Sequence, residues 1–400
     1  MVRPLKVFII AGEPSGDKLG GNLMKGLQSL TDGAIEFQGV GGEMMQAAGL
    51  QSLFPMSDLS IMGLLEVIPA IPKLKKRIKQ TTDAAIMMDA DVFITIDSPD
   101  FCLRVGKKLR LAKPNQYSIH YVAPSVWAWR PERAAKMAKT VDHVLALLPF
   151  EPMYMEHEGM TCDFVGHPAV NEERPTKEEV KQVLTDLNLS PSDDIISILP
   201  GSRKSEINRL LPIYKEAIID ILKQHPDVKF ILPAARPVLN LIQEQLENTD
   251  LPITILDPSE FDPVIAEQRK RAVYTASQLA IATSGTIALD LAKQRCPMVI
   301  AYRASWMTER AVKRLAQTDR ANLINIITDS YVVPELLFNK CTPDAVAKSV
   351  LDILNDESTR NAQVAACDHA MKQLGEGHEN PGLRSALSVM NAIQANQSDA

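Results

Sequence analysis

The feature that most constrains the fold is an alternation that occurs twice. Short apolar runs at residues 5–11, 37–40, 92–96, 116–121, 144–148 and 162–165 are separated, for the most part, by segments with helical spacing. A polar, proline-marked link follows at 166–175, and the pattern then restarts with runs at 195–199, 228–232, 253–256, 279–282 and 298–302. Continuous apolar runs of this length suit strands covered on both faces, and strands alternating with helices imply parallel sheets. The expected fold is therefore α/β, with two Rossmann-like domains at 1–170 and 171–370 facing each other across a cleft. A final helical segment at about 385–400 is expected to pack back on the first domain. Ligands of such sheets bind beyond the carboxyl ends of the strands.

Composition removes several function classes. A chain of 400 residues with 46% apolar and 23% charged side chains is ordinary globular material of two-domain size. Its net charge of -6 argues against a general nucleic-acid binder. The five cysteines are odd in number and form no C-x-x-C pair, which fits reduced, buried thiols better than a disulfide framework. The amino terminus enters an apolar strand directly, without the pattern of a signal peptide, and no run approaches the roughly 20 apolar residues of a spanning helix. The first half contains no G-x-G-x-x-G, and the chain contains no P-loop, no H-E-x-x-H and no G-x-S-x-G. No metal and no cofactor are expected.

Three loops each follow a strand and open a helix: 12–17, Gly201-Ser202-Arg203 and Ser284-Gly285-Thr286. Such a turn offers backbone N–H groups to a phosphate, and Arg203 adds a guanidinium suited to a diphosphate. Asp290, four residues after Thr286, lies one helical turn on and suits ribose hydroxyls. The alternative for each loop is simple turn chemistry, and for Asp290 a solvated helix charge. In the first half carboxylates gather at strand ends. Asp97 ends one apolar run, and Glu13 and Asp17, with Ser15 between them, lie in the first loop. A carboxylate in that place suits a general base, whereas Asp100 reads more naturally as a helix cap.

Residues 53–79 stand apart. Leu59, Met62, Leu64, Leu65, Val67 and Ile68 sit in a dense apolar stretch, and Lys75, Lys76 and Arg77 follow in a basic cluster. An apolar patch beside cations suits an anionic membrane surface or an acyl-phosphate ligand, and a core helix followed by a solvated one is the alternative. Trp127 and Trp129, two of the three tryptophans, make a further group read as interface packing.

Ten runs in order then carry a resemblance. They are AGEPSGDKLG at 11–20, GVGGEMM at 39–45, LFPMSDLSIMGLLEVIP at 53–69, IDSPDF at 96–101, HYVAPSVWAWR at 120–130, LALLPFEP at 145–152, FVGHP at 164–168, LPGSRKSEI at 199–207, ATSGTIALDLAKQRCPMVIAYR at 282–303 and VPELL at 333–337. Together the chain resembles the lipid-A-disaccharide synthase family, inverting glycosyltransferases of GT-B architecture. The resemblance implies UDP-2,3-diacylglucosamine as donor and 2,3-diacylglucosamine 1-phosphate (lipid X) as acceptor. It implies a β-1,6-linked disaccharide phosphate and UDP as products, peripheral work on the cytoplasmic face of the inner membrane, and no metal. It makes Asp97 the general base and Arg203 the diphosphate ligand, helped by Ser202, Ser284, Gly285 and Thr286, and it places Asn325 where the family requires an asparagine. Two positions depart from the family pattern: Asp290 stands for glutamate, and Ile324 for the proline before the asparagine. A UDP-GlcNAc 2-epimerase or another UDP-sugar enzyme, and a non-catalytic nucleotide-sugar binder, are the competing readings. The chain from about Thr342 onward packs within one molecule or exchanges between two, as in a homodimer; both stay open.

Overall fold

A computed structural model describes residues 3–59, 64–304 and 306–398. The chain forms two compact units, one made of Met1–Asn171 with Leu374–Ala400 and the other of Glu172–Gln373.

The first unit is built on seven parallel strands: β1 (Leu5–Ala11), β2 (Ile35–Val40), β3 (Gln51–Ser52), β4 (Val92–Ile96), β5 (Ser118–Tyr121), β6 (His143–Ala146) and β7 (Thr161–Phe164). Their order is β3-β2-β1-β4-β5-β6-β7. β1 and β4 are buried almost throughout, which is why they read as unbroken apolar runs. Helices Pro14–Leu30 and Pro381–Ser398 cover one face, where Leu23, Met24, Leu27, Ala386 and Val389 join a core with Val7, Ile9, Ile94 and Ile119. Gly26 allows those two helices to meet, because a Cβ there would lie 2.8 Å from Ala386 Cβ and from the Gly382 carbonyl oxygen. Helices Leu64–Met88 and Pro99–Ala112 cover the other face, around Phe8, Ile10, Phe93 and Val105.

The second unit has six parallel strands: β8 (Ile195–Leu199), β9 (Lys229–Pro233), β10 (Ile253–Leu256), β11 (Leu279–Thr283), β12 (Met298–Tyr302) and β13 (Glu335–Leu337), ordered β10-β9-β8-β11-β12-β13. Helix Lys204–Gln224 buries Ile207, Leu210, Leu211, Tyr214, Ala217, Ile218 and Ile221 against that sheet. Their recurrence at three- and four-residue intervals is the apolar stripe of an amphipathic helix.

In both sheets the order runs outward from the first strand on one side and reverses on the other. The reversal falls between β1 and β4 in the first unit and between β8 and β11 in the second. Open parallel sheets bind ligands at such switch points, because the two crossover connections leave in opposite directions and open a crevice at the carboxyl ends.

The apolar run at 144–148 is shorter as a strand than its composition suggests. The N–H groups of Leu147 and Leu148 turn to the Glu151 carboxylate, at 3.1 and 3.0 Å, and leave the ladder. β3 and β13 are additional strands of two and three residues that carry no apolar run of their own. Among the described residues no helix is long and apolar enough to cross a membrane.

Candidate active site

At the switch point of the first unit, Ala11 pairs with Ile96, so Gly12 and Asp97 leave the sheet at the same level. Asp97 and Ser98 both adopt left-handed backbone, with φ of 49° and 43°. Just past the end of the neighbouring strand β5, Val122 has φ of 82°, which a β-branched residue rarely tolerates. The Asp97 N–H donates to the Tyr121 carbonyl and the Val122 N–H to the Leu145 carbonyl, each at 3.0 Å, so the flanking strands hold these conformations in place. Backbone strain persists only where the surroundings overdetermine it, and it concentrates at working sites. Asp97 is half-buried at this turn, with Glu13 in the loop after β1 and Ser15 exposed in the first turn of helix Pro14–Leu30.

Asp17, expected in the same cluster, does something else. It is 4% exposed, and its carboxylate accepts the N–H groups of Gly42, Met44 and Met45 at 2.8, 2.9 and 3.0 Å. It caps helix Glu43–Ala47 and ties β1's helix to β2's loop.

Deeper in the sheet His120 is buried, its Nδ1 2.7 Å from Thr95 Oγ1, and burial pulls its pKa down to about 4. Glu151 is also buried. Its carboxyl is pushed up to about 7 by burial, against the N–H groups of Leu148, Trp127 and Leu147, which favour the charged form. The Trp127 Nε1 donates to it at 3.4 Å and Phe150 packs edge-on to the indole, which gives that tryptophan a held position. Trp129 is 38% exposed and lies beneath the Arg130 guanidinium.

The basic cluster at 73–79 divides. Asp58 draws in Lys73 at 2.5 Å and takes Arg77 through both Nε and Nη2, while Arg77 also stacks over Phe54. Arg77 thus serves the unit's own packing, and Lys75 and Lys76 stay exposed. Leu59 is partly exposed and Ile71 is 41% exposed. Met62 lies outside the described residues, as do the side chains of Leu64, Leu65, Val67 and Ile68.

At the second unit's switch point, Leu199 pairs with Ala282, so the loops 200–203 and 283–286 emerge side by side. Gly201 has φ of 115° and Gly285 of 154°, values that suit glycine. Gly285 and Thr286 are exposed, and Asp290 follows, partly buried, on helix Ile287–Lys293. Arg203 is extended into solvent, with its side chain 67% exposed and Nη1 3.3 Å from Glu206. The N–H groups of Ser202 and Arg203, expected to face phosphate, already donate to Glu206 Oε2 at 3.0 and 3.2 Å. The guanidinium rather than those amides is what this loop presents. The G-S-R-x-x-E spacing is the signal for that carboxylate, since a glutamate three residues into a helix reaches back to its first amides.

Asn325 is fully buried. Its Nδ2 donates to the Val333 carbonyl and to Glu335 Oε1, at 2.8 and 2.7 Å, and its Oδ1 accepts the Val333 N–H at 3.0 Å. An amide spent this way holds the segment in place. Among the described residues no three His, Cys, Asp or Glu side chains gather as a metal-binding group.

Two parallel sheets in this order, each with loops grouped at its switch point, define the α/β fold of GT-B glycosyltransferases and related UDP-sugar enzymes. Solved structures share it. UDP-GlcNAc 2-epimerase from Neisseria meningitidis bound to UDP-GlcNAc superposes with a TM-score of 0.60 at 14% identity, over 98% of this chain and 100% of that one. The S. aureus MnaA structure with UDP also gives 0.60, at 12% identity over 99% and 97%. At such identity the likeness is one of fold. The chain belongs to the lipid-A-disaccharide synthetase family, whose model matches residues 7–385. It is 46% identical over 391 residues to the lipid-A-disaccharide synthase of Ruegeria pomeroyi, covering 98% of this chain and 96% of that one. It is 43% identical to that of Rhodospirillum centenum, with the same coverage, and 36% identical to that of Pseudomonas syringae, with 98% of both chains covered.

Proposed function

We propose that this chain is the glycosyltransferase that joins UDP-2,3-diacylglucosamine to 2,3-diacylglucosamine 1-phosphate (lipid X), forming the β-1,6 disaccharide 1-phosphate of lipid A and releasing UDP. Family membership supports the reaction. The observation that carries the residue assignment is the strained turn that sets Asp97 at the first unit's switch point. In this reading the Asp97 carboxylate takes the proton of the acceptor 6-hydroxyl. That oxygen forms a bond to the donor's anomeric carbon from the face opposite the diphosphate. The bond from that carbon to the diphosphate oxygen breaks, and UDP leaves with the electron pair. Arg203, with Ser284, Gly285 and Thr286, offsets the charge that grows on the diphosphate, and Asp290 meets the ribose hydroxyls. The exposed Lys75 and Lys76 and the apolar side chain of Ile71 support docking on the anionic cytoplasmic face of the inner membrane.

The test is a transfer assay with UDP-2,3-diacylglucosamine and radiolabelled lipid X in detergent, with and without EDTA. Disaccharide in both tubes is the expected result. Product only without EDTA would establish a metal requirement, and no product from folded, UDP-binding protein would overturn the reading. In that case incubation with UDP-GlcNAc alone would test for epimerisation.

A further inference from the structure

Glu335 lies on the edge strand β13, level with Ile300 of β12, and that residue pairs with Ala282 at the end of β11. Its carboxylate faces the segment 320–325, which precedes and opens helix Leu323–Ile327. One oxygen accepts the Ala321 N–H at 2.6 Å. The other accepts the Asn322 N–H at 3.2 Å and Asn325 Nδ2 at 2.7 Å. The same segment reaches the donor loop, because the Ser284 hydroxyl donates to the Ala321 carbonyl at 3.5 Å. It is braced elsewhere by Arg320, which lies over the Tyr331 ring and beside Asp329. A contact path therefore runs from Glu335 through Ala321 to Ser284.

We infer that Glu335 is the positioning residue of the donor half, fixing through residues 321–325 the place of the Ser284-Gly285-Thr286 loop. The inference rests on the reading of that loop as the UDP site. An anionic ligand and a carboxylate on the same side of a sheet repel unless the carboxylate is consumed by donors. Here three N–H groups converge on two oxygens, so the charge acts as an anchor. The arrangement also accounts for a buried Asn325: its amide bridges the Val333 backbone and the Glu335 carboxylate, and the pair works as one unit.

Glu335→Gln keeps the size but sets an amide N–H against an N–H donor in either orientation, since both oxygens are occupied by donors. Calorimetric UDP titration of the wild type comes first: no binding there would fail the donor-site reading and not this inference. With wild-type binding established, E335Q should weaken UDP by about tenfold or more, while the lipid X KM stays within about twofold. Asn325→Ala should do the same, and the double variant should bind UDP within about twofold of the weaker single, because the Asn325–Glu335 contact is common to both losses. Val350→Ala, in the core of the same unit, should lower the melting temperature and leave UDP affinity unchanged. Unchanged UDP affinity in folded E335Q would overturn the inference. So would multiplicative losses in the double variant, or equal weakening by Val350→Ala. If E335Q does not fold, Glu335→Asp keeps the charge but withdraws it, and is read against the same outcomes.

Discussion

A Cβ built on Gly12 would lie 2.5 Å from the Ser98 hydroxyl oxygen and 2.9 Å from Ser98 Cβ, so the loops after β1 and β4 fit together only because residue 12 has no side chain. The hydroxyl can rotate away, but the Cβ is fixed by the backbone. Gly12→Ala should therefore displace the turn that carries Asp97, at a cost of about 1–3 kcal/mol in stability and with a larger loss in turnover than in UDP affinity. Ser98→Gly should rescue it, since glycine removes the clashing atoms and is at ease at a φ of 43°. Ser98→Ala, which keeps the Cβ, should rescue poorly. Melting temperatures and transfer rates of the two double variants decide the matter: equal rescue by glycine and alanine would rule out the Cβ contact.

Asp97 and Arg203 have opposite expected signatures, because one is assigned to the proton and the other to the diphosphate. Asp97→Asn should leave UDP binding intact and cut turnover by about 10²–10⁴-fold. Arg203→Ala should weaken UDP binding by roughly 10–100-fold, the usual worth of a charged hydrogen bond. UDP titration and initial rates on both variants separate the roles. A change in UDP affinity for Asp97→Asn, or none for Arg203→Ala, would reverse the assignment.

Glu206 offers a sharper test of how the donor loop works. Its carboxylate occupies the N–H groups of Ser202 and Arg203 in the free protein, where a phosphate oxygen would otherwise sit. If it shapes the loop so that Arg203 is presented, Glu206→Ala should lose about 1 kcal/mol of stability and bind UDP more weakly. Tighter UDP binding in that variant would mean that the carboxylate competes with the diphosphate for the amides. Thermal melts and UDP titration on the same preparation give both readings.

The division of legible and illegible features follows from range. β1, β4, β8 and β11 are visible as apolar runs because both faces of each strand are buried, and the loops after them are visible because Gly and Ser interrupt a strand just before a helix. Asp17, Glu206, Glu335 and Asn325 are each readable as polar residues near a turn. The partners of Glu206 are readable too, because they lie three and four residues away, but those of Asp17 and Glu335 are not, because Asp17 reaches residues 42–45 and Glu335 reaches back to 321–325 through tertiary folding. Arg77 shows the same limit: in sequence it is one more cation in a basic run, and only the fold brings Asp58 and Phe54 to it. The strain at Ser98 and Val122 has no sequence signal, since neither is glycine, asparagine or aspartate; Asp97 is of a type that visits the left-handed region, but the sequence does not say that it does so here.

Buried titratable groups give the first unit an expected pH dependence whose sign can be worked out. Burial holds His120 and His167 at about 4, below the ordinary 6.5, so each contributes stability above pH 6.5 that is lost as pH falls toward 4. Glu151 runs the other way. Its pKa rises from 4.5 to about 7 on burial, so its contribution is present below 4.5 and lost as pH rises through 7. Between about pH 5 and 6 the unfolded chain binds about two extra protons at the histidines and the folded chain about one at Glu151, leaving stability to rise by roughly 1.4 kcal/mol per pH unit from these groups. Glu151→Gln should steepen that rise by roughly 1.4 kcal/mol per unit and His120→Asn should flatten it by about as much, while His143, whose pKa burial also lowers, adds to the rise in both variants. Urea unfolding followed by the fluorescence of Trp127 and Trp129 reports on this unit across the window. A slope unchanged by Glu151→Gln would mean that the three N–H donors keep this carboxylate ionised despite its burial.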